Sequence, residues 1–382
     1  MMKVRVVEGK TRLVVPARSL EGAPPSQSPV FFNPAAKLNR DVSVSIAAAA
    51  RSRTFCDSLA GVGSRGLRVA VESGKAESVA LVDFNKEALK LAREGARLNR
   101  VAGVCQVVHG ESNSFLFGRF GRLQKFDSVD VDPFGSPIGH VQAAVSATAK
   151  GGIASFTATD TAALCGVYPS ACRRRYGAEP LNNSFHHETG IRILLGGVAS
   201  LAASLEIGVA PVAVHSSRHY IRAYVRVEPG ASKADAAIAH LGYLVSGMGC
   251  RHMQVSDKRS EACATCGGKA RSAGPLWKGG LADGALTRSA EEAAKTRGLL
   301  DAESLLGRLE AADDFPPWSF SIEEACSSLG VATVPRGSVL RHLAEAGHTW
   351  GEQPFEKTGV KTNASYDEFY SAVKESTVRL GR

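Results

Sequence analysis

The chain has 382 residues, 44% hydrophobic and 22% charged, an ordinary globular composition with room for two or three domains. Lys and Arg outnumber Asp and Glu by 46 to 37, a net charge of +9 that favours a polyanionic partner such as nucleic acid over an acidic or neutral one. Eight scattered cysteines are too sparse for a disulfide scaffold and suit a reducing cytoplasm, the early charges with no apolar segment of signal-peptide length argue against secretion, and the longest apolar stretch, 193–205, is shorter than a bilayer span.

In chain order, Val4, Val6 and Val7 with residues 12–15 read as an entry hairpin, followed by a loop at 22–28. A run from Val30 to Asp41 leads into an Ala-rich helix at 43–51. Strand, glycine turn and helix then alternate: strand 54–57, turn 61–66, helix 67–73, strand 78–82 ending at Asp83, and a helix capped by Asn85 and running to about 100. Further strands fall at 105–108, 126–131 and 152–157, then a long helix at 187–205 and an antiparallel pair at 211–214 and 220–227. Repeated strand-helix units ending in a hairpin describe a doubly wound α/β sheet. From about Gly230 the pattern changes to a cysteine and glycine stretch at 250–268, a stretch at 279–284 that looks mobile, and helices at 290–309, 321–329 and 335–346. Two short helices followed by a basic loop and ribbon resemble a winged helix-turn-helix, a shape used on nucleic acids.

Chemistry concentrates at two places. Gly61-x-Gly63-x-x-Gly66 follows a strand and opens a helix, with Asp83 twenty-two residues after the first glycine, so backbone can approach a ligand while the acid accepts from ribose hydroxyls. NAD and S-adenosylmethionine both satisfy that description. The strand at 126–131 then gives out into Asp132-Pro133-Phe134-Gly135. The Asp132 carboxylate and the Pro133 carbonyl can both accept from an exocyclic amine, and Phe134 offers a stacking face, although Asp-Pro also ends strands for purely steric reasons. No hydride-transfer constellation and no cysteine nucleophile stands at this position, which favours S-adenosylmethionine and methylation of a nucleobase nitrogen.

The run 31–41 with Asn33-Pro34 and Asn39-Arg40-Asp41, the turn 61–66, Asp130 to Pro137, and Gly274-Pro275-Leu276-Trp277 together resemble the tRNA (guanine-26 N2)-dimethyltransferases in their archaeal form. The resemblance implies a class I S-adenosylmethionine-dependent methyltransferase (Rossmann-like) domain over 1–229 and a smaller α+β C-terminal tRNA-binding domain over 230–382. It implies cofactor contacts from Gly61 and Gly63, from Arg40 and Arg65 at the methionine carboxylate, from Asp83 at the ribose, and from Glu111 and Ser112 at the adenine, where the family usually has Asp-Ala. Asp132, Pro133 and Phe134 would be catalytic. Phe31 and Phe134 would stack on a flipped guanine, and Arg173, Arg174 and Arg175 would meet tRNA phosphates. Cys263 and Cys266 make half a zinc knuckle; the usual upstream pair is here Cys250 with Met253, so Cys250 and His252 are the remaining candidate ligands. His186 and His187 read as a helix N-terminus, and the other cysteines as packing residues. The expected activity is methylation and dimethylation of guanine N2 in tRNA by a cytoplasmic enzyme without an obligate protein partner. An N2- or N6-methyltransferase acting on another RNA or DNA site, and a tRNA-binding protein without catalysis, are the alternatives.

Overall fold

A computed structural model describes residues 2–21, 29–118, 125–217, 219–312, 314–355 and 359–378; the expected loop at 22–28 lies outside them. Strands β1 (Lys3–Glu8) and β2 (Thr11–Pro16) form the entry hairpin, turning at Gly9 with φ +59°. Leu13, Val14 and Val15 of β2 are buried with Leu67, Leu81 and Leu91, so the hairpin closes one side of the main sheet.

That sheet has seven strands: β3 (Thr54–Asp57), β4 (Ser78–Asp83), β5 (Cys105–His109), β6 (Phe126–Val131), β7 (Thr148–Ala158), β8 (Ile207–Ser217) and β9 (Tyr220–Pro229), in the order β5-β4-β3-β6-β7-β9-β8. β9 runs against both neighbours and the others are parallel. The chain starts at β3, builds outward to β5, then crosses back to β6, so order reverses between β3 and β6. A doubly wound sheet leaves a crevice at that reversal, beyond the carboxyl ends of the two strands.

Three helices bear on the crevice: α1 (Lys37–Ala49), α2 (Ser64–Glu72) and α3 (Lys86–Leu98). Asn85 caps α3 by accepting from the Glu87 and Ala88 amides, as its position predicts. α2 begins at Ser64, earlier than the expected 67, because the glycine turn passes directly into its first turn.

Beyond 230, strands β10 (Leu241–Gly247), β11 (Met253–Ser256) and β12 (Ala270–Trp277) form a sheet that periodicity did not reveal, its strands short, broken by Gly242 and Gly274, and joined by connections that carry the cysteines. The single helix expected over 290–309 is two, Gly284–Thr296 and Leu300–Ala312, parted where Gly298 takes φ +68°. The stretch 279–284 is ordered rather than mobile in character: Trp277 Nε1 donates to the Gly280 carbonyl at 2.9 Å, and Arg192 Nη1 to that of Gly279 at 2.8 Å. Leu276, Trp277, Ala290 and Leu306 share one continuous core with Val131, Phe156 and Ile193 of the α/β domain. A second core, with Phe320, Val339, Leu343, Val360 and Phe369, holds the helices Ile322–Leu329, Arg336–Glu345 and Tyr366–Val378 against a sheet of β13 (Phe320–Ser321), β14 (Trp350–Glu352) and β15 (Gly359–Thr362). Helix, turn, helix and ribbon follow in the order of a winged helix.

One acid joins the two cores. Glu188, fully buried near the start of the helix His186–Ala203, accepts from Arg192 at 2.9 and 3.1 Å, from Lys361 of β15 at 2.8 Å and from Gln353 at 2.9 Å. Burial alone would raise its pKa, but the Lys361 and Arg192 charges hold the carboxyl down at about 2.

Candidate active site

The glycine turn is built by sterics. Gly61 and Gly63 take φ +54° and +75°, the left-handed region that other residues enter at a cost. A Cβ on Gly66 would lie 2.2 Å from Leu81 Cδ2, so only glycine lets α2 close on β4. Asp83, at the end of β4, accepts from the Gly61 amide at 2.6 Å with one oxygen and from the Asn85 amide at 2.7 Å with the other. The acid expected at a ribose thus also pins the turn.

The opposite wall is the end of β6. The turn Asp132-Pro133-Phe134-Gly135 is fastened to β7, with the Gly135 amide donating to Thr159 Oγ1 at 2.6 Å and the Thr159 amide to the Gly135 carbonyl at 2.9 Å. Phe134 is 73% exposed and lies 5.9 Å, centroid to centroid, from Phe31 at an interplanar angle of 51°. Phe32 also lines the cavity but is buried, with the Arg40 guanidinium 4.9 Å from its ring centroid. Between the walls lies a cavity of about 590 Å³, lined among others by Phe31, Arg40, Asp57, Asp83, Asp132 and Tyr220.

Beneath Asp132 runs a buried ionic layer. Arg65 donates to Asp132 through Nη2, pairs with Asp130 through Nε at 3.0 Å, and donates to Asn39 Oδ1 at 2.6 Å and to Ser43 through Nη1. Arg222 of β9 reaches the other oxygen of Asp130, Thr157 Oγ1 at 2.5 Å and Ser43 Oγ at 3.1 Å. Strand register accounts for the alignment: Asp57 lies opposite Asp130, Asp130 opposite Ser155, and Thr157 opposite Arg222, near the carboxyl ends of β3, β6 and β7 and the amino end of the antiparallel β9. Asp57, fully buried, accepts from the Gly66 amide at 3.0 Å. Burial first, and then the Asp130 charge, push its pKa up to about 7 against the pull of Arg65. Asp130 and Asp132 thus answer the two guanidiniums, while Asp83 and the ionised fraction of Asp57 add negative charge at the cavity lining that suits a cationic ligand. Asn39, Ser43, Asp57, Thr157 and Arg222 were not expected as site residues; Asp130, two residues before Asp132 on one strand face, reads from sequence as either a supporting partner or a plain strand-end acid, and its pairing with Arg65 makes it the former. The one local signal for Arg222 is a charge on a strand whose neighbours two residues away are Tyr220 and Tyr224.

The remaining expected residues are placed as follows. Arg40 forks onto Glu8 with two contacts of 2.6 Å and donates to the Asn33 carbonyl at 3.0 Å; among the described residues its Nη1 has no hydrogen-bond partner. Glu111 caps the helix α4 (Ser112–Phe117), accepting from the Asn113 and Ser114 amides at 2.9 and 2.7 Å. Burial works against those amides, but they prevail and hold its carboxyl below the usual range. Ser112 is buried and its hydroxyl has no hydrogen-bond partner among the described residues, and neither it nor Glu111 lines the cavity. On the helix Pro169–Tyr176, Arg173 pairs with Glu179 at 2.7 Å and Arg175 with Asp160 at 2.8 Å, while Arg174 is exposed and forms no ion pair among the described residues.

Away from the cavity, the sulfurs of Cys250, Cys263 and Cys266 converge within 4.8 Å of one another, with Cys250 Sγ 3.4 Å from that of Cys263 and 3.2 Å from that of Cys266. A Cβ on Gly247 would come within 2.7 Å of Cys250 Sγ, so the bare glycine makes room for the sulfurs. The three thiols supply three of the four ligands that a structural zinc takes. His252 is outside the trio; its carbonyl accepts from Gly247 at the approach to β11.

A family model described as N2,N2-dimethylguanosine tRNA methyltransferase matches residues 9–374. A tRNA (guanine(26)-N(2))-dimethyltransferase of Methanopyrus kandleri is 36% identical over 375 residues, covering 97% of this chain and 96% of the relative. A tRNA (guanine(26)-N(2)/guanine(27)-N(2))-dimethyltransferase of Aquifex aeolicus is 36% identical over 308 residues, 78% of each chain. Among solved structures, that of Trm1 from Pyrococcus horikoshii with S-adenosyl-L-methionine superposes with a TM-score of 0.85 at 29% identity, covering 97% of this chain and 99% of that one.

Proposed function

The chain belongs to the N2,N2-dimethylguanosine tRNA methyltransferase family, and on that premise we propose that it transfers one and then a second methyl from S-adenosylmethionine to N2 of guanine 26 in tRNA. The observation that carries this reading is the acceptor pair of Asp132 and Pro133 at the mouth of a cavity with surplus negative charge. S-adenosylmethionine supplies an electrophilic methyl on a positively charged sulfur. In our assignment Gly61 and Gly63 give it close backbone approach and Asp83 takes the ribose. Arg40, through its Nη1, and Arg65, through the Nη2 hydrogen not given to Asp132, serve the methionine carboxylate. Glu111 and Ser112, at the start of α4 and outside the cavity lining, are assigned to the adenine edge where the cofactor extends beyond the cavity.

Guanine N2 is a weak nucleophile because its lone pair is spread into the ring. Asp132 and the Pro133 carbonyl hold its N–H bonds, with Phe134 and Phe31 on the ring faces, so that alignment supplies much of the rate. Asp132 also takes the proton as the nitrogen gains positive charge. Arg65 keeps that carboxylate aimed. The target base must leave the tRNA stack to reach this depth. We assign residues 1–229 to methyl transfer and 230–382, with Arg173, Arg174 and Arg175 of the first part, to holding the tRNA. A structural zinc on Cys250, Cys263 and Cys266, its fourth position filled by solvent or by a shifted His252, would brace the sheet of β10 to β12. No helix among the described residues is long and apolar enough to cross a membrane.

Incubation with labelled S-adenosylmethionine and unmodified tRNA, followed by nucleoside mass spectrometry, tests the reading. N2-methylated and N2,N2-dimethylated guanosine at position 26 are expected; label only on adenine, or none on any tRNA, would overturn it.

A further inference from the structure

A second metal-ligating cluster lies apart from the three thiols and from the cavity. Cys165, His186 and His187 each place one ligand atom within 4.8 Å of the other two. They come from two segments that a glycine brings together: Gly166, at φ +87°, lies so close to the returning chain that a Cβ there would sit 2.7 Å from the Asn182 amide nitrogen. Cys165 is buried and both histidines are half-buried, so the group is enclosed on one side and open on the other. The two imidazoles lie 4.3 Å apart, centroid to centroid.

The chemistry of the trio is selective. One thiol and two imidazoles form a mixed S and N set, which suits a borderline divalent ion such as Zn²⁺ and disfavours Mg²⁺ or Ca²⁺. Three protein ligands leave a fourth tetrahedral position for water. His186 also carries a feature of bound imidazoles: Nδ1 is 2.5 Å from the Asn183 carbonyl oxygen, which can only accept. Nδ1 therefore bears the proton and Nε2 the lone pair, the outer hydrogen bond that ordinarily fixes the tautomer of a metal-bound histidine. Adjacent histidines seldom face one way within a helix, but these open the helix His186–Ala203, with Phe185 as its N-cap at φ −123°.

We propose that Cys165, His186 and His187 bind one zinc ion, through the Cys165 sulfur, which loses its proton to solvent on binding, through His186 Nε2 and through one nitrogen of His187. The ion ties the loop that enters the arginine-bearing helix Pro169–Tyr176 to the helix whose third residue, Glu188, holds the C-terminal unit. It is a structural staple, distinct from the thiol trio at 250–266.

The test is the metal content of the full-length protein purified from zinc-supplemented cells, compared among variants. Cys263→Ser/Cys266→Ser, which removes the thiol trio, is expected to retain about one equivalent of zinc. Adding His186→Ala/His187→Ala or Cys165→Ser to it is expected to remove that equivalent. The thiol-trio variant is then stripped and loaded with Co²⁺ alone, expecting a tetrahedral visible spectrum with sulfur-to-cobalt charge transfer that Cys165→Ser abolishes. A thiol-trio variant with native circular dichroism and no zinc would overturn the proposal. So would undiminished zinc in the His186→Ala/His187→Ala protein, or an octahedral cobalt spectrum without sulfur charge transfer. Because the histidines are half-buried, their replacement keeps the test decisive even where Cys165→Ser does not fold.

Discussion

Two aspartates face one cavity from the ends of two strands, and they are held there by opposite means. Asp83 at the end of β4 is fixed by backbone amides of Gly61 and Asn85, both within 22 residues in sequence. Asp132, just past β6, is held by the Arg65 side chain, itself held by Asp130, Asn39 and Ser43, with Arg222 closing the layer from β9. An acid held by backbone keeps its place while the fold stands. An acid held by a chain of side chains can be misaimed by a substitution several contacts away, with the carboxylate itself intact.

Four perturbations probe that contrast. The largest effect belongs to Asp132→Ala, expected to lower methyl transfer by about 10²–10³-fold or more while tRNA binding persists; single-turnover rates beside a filter-binding titration measure it, and near-normal turnover would refute the amine-holding role. Arg65→Lys should follow, because an ammonium keeps the charge but cannot fork onto two acids, and a buried acceptor left unmatched costs about 1–3 kcal/mol. A lower melting temperature and turnover reduced by about tenfold or more, with Asp132 still present, are the expected pair of readings. Asp83→Asn should weaken S-adenosylmethionine binding by about tenfold, the value of one hydrogen bond to a charged acceptor, and leave turnover at saturation nearly intact; calorimetry and kinetics separate the two.

The smallest effect concerns pH. Asp57 is raised to about 7, so below that pH it holds a proton and above it adds a negative charge beneath the cavity. Affinity for the cationic cofactor should therefore rise several-fold, roughly 0.5–1 kcal/mol, between pH 6 and pH 8, and Asp57→Asn should flatten the rise. Stability runs the other way. An acid whose folded pKa is raised binds more protons folded than unfolded between about 4 and about 7, so its contribution is lost as pH climbs through that window. Thermal melts of wild type and Asp57→Asn from pH 5 to pH 8 should diverge, with the wild type losing more.

The same contrast separates what the sequence made legible from what it hid. Gly61, Gly63, Asp83 and the Asn85 cap act through near neighbours, so their spacing announces them. Asp132-Pro133-Phe134-Gly135 was legible because the motif carries its own chemistry. Asp57, Asn39, Ser43 and Arg222 acquire roles only when β3, α1 and β9 come together; Ser43 and Arg222 meet across 179 residues. Arg40 is a mixed case: its place at the cavity was expected, but the fork onto Glu8 requires the entry hairpin to fold back over 32 residues. The strands β10 to β12 were hidden for another reason, since they are short and Gly242, Gly274 and Pro275 interrupt the alternation by which half-buried strands are recognised.

The knot at Glu188 bears on how the protein comes apart. Its partners Gln353 and Lys361 belong to the small unit, and Arg192 to the large one. Were the small unit to peel away alone, the Glu188 carboxylate would exchange Gln353 and Lys361 for water, and the two halves would lose a buried ion pair that exists only while they are joined. Detachment is therefore energetically tied to melting of the larger core, and calorimetry should record one cooperative heat-absorption peak in place of two.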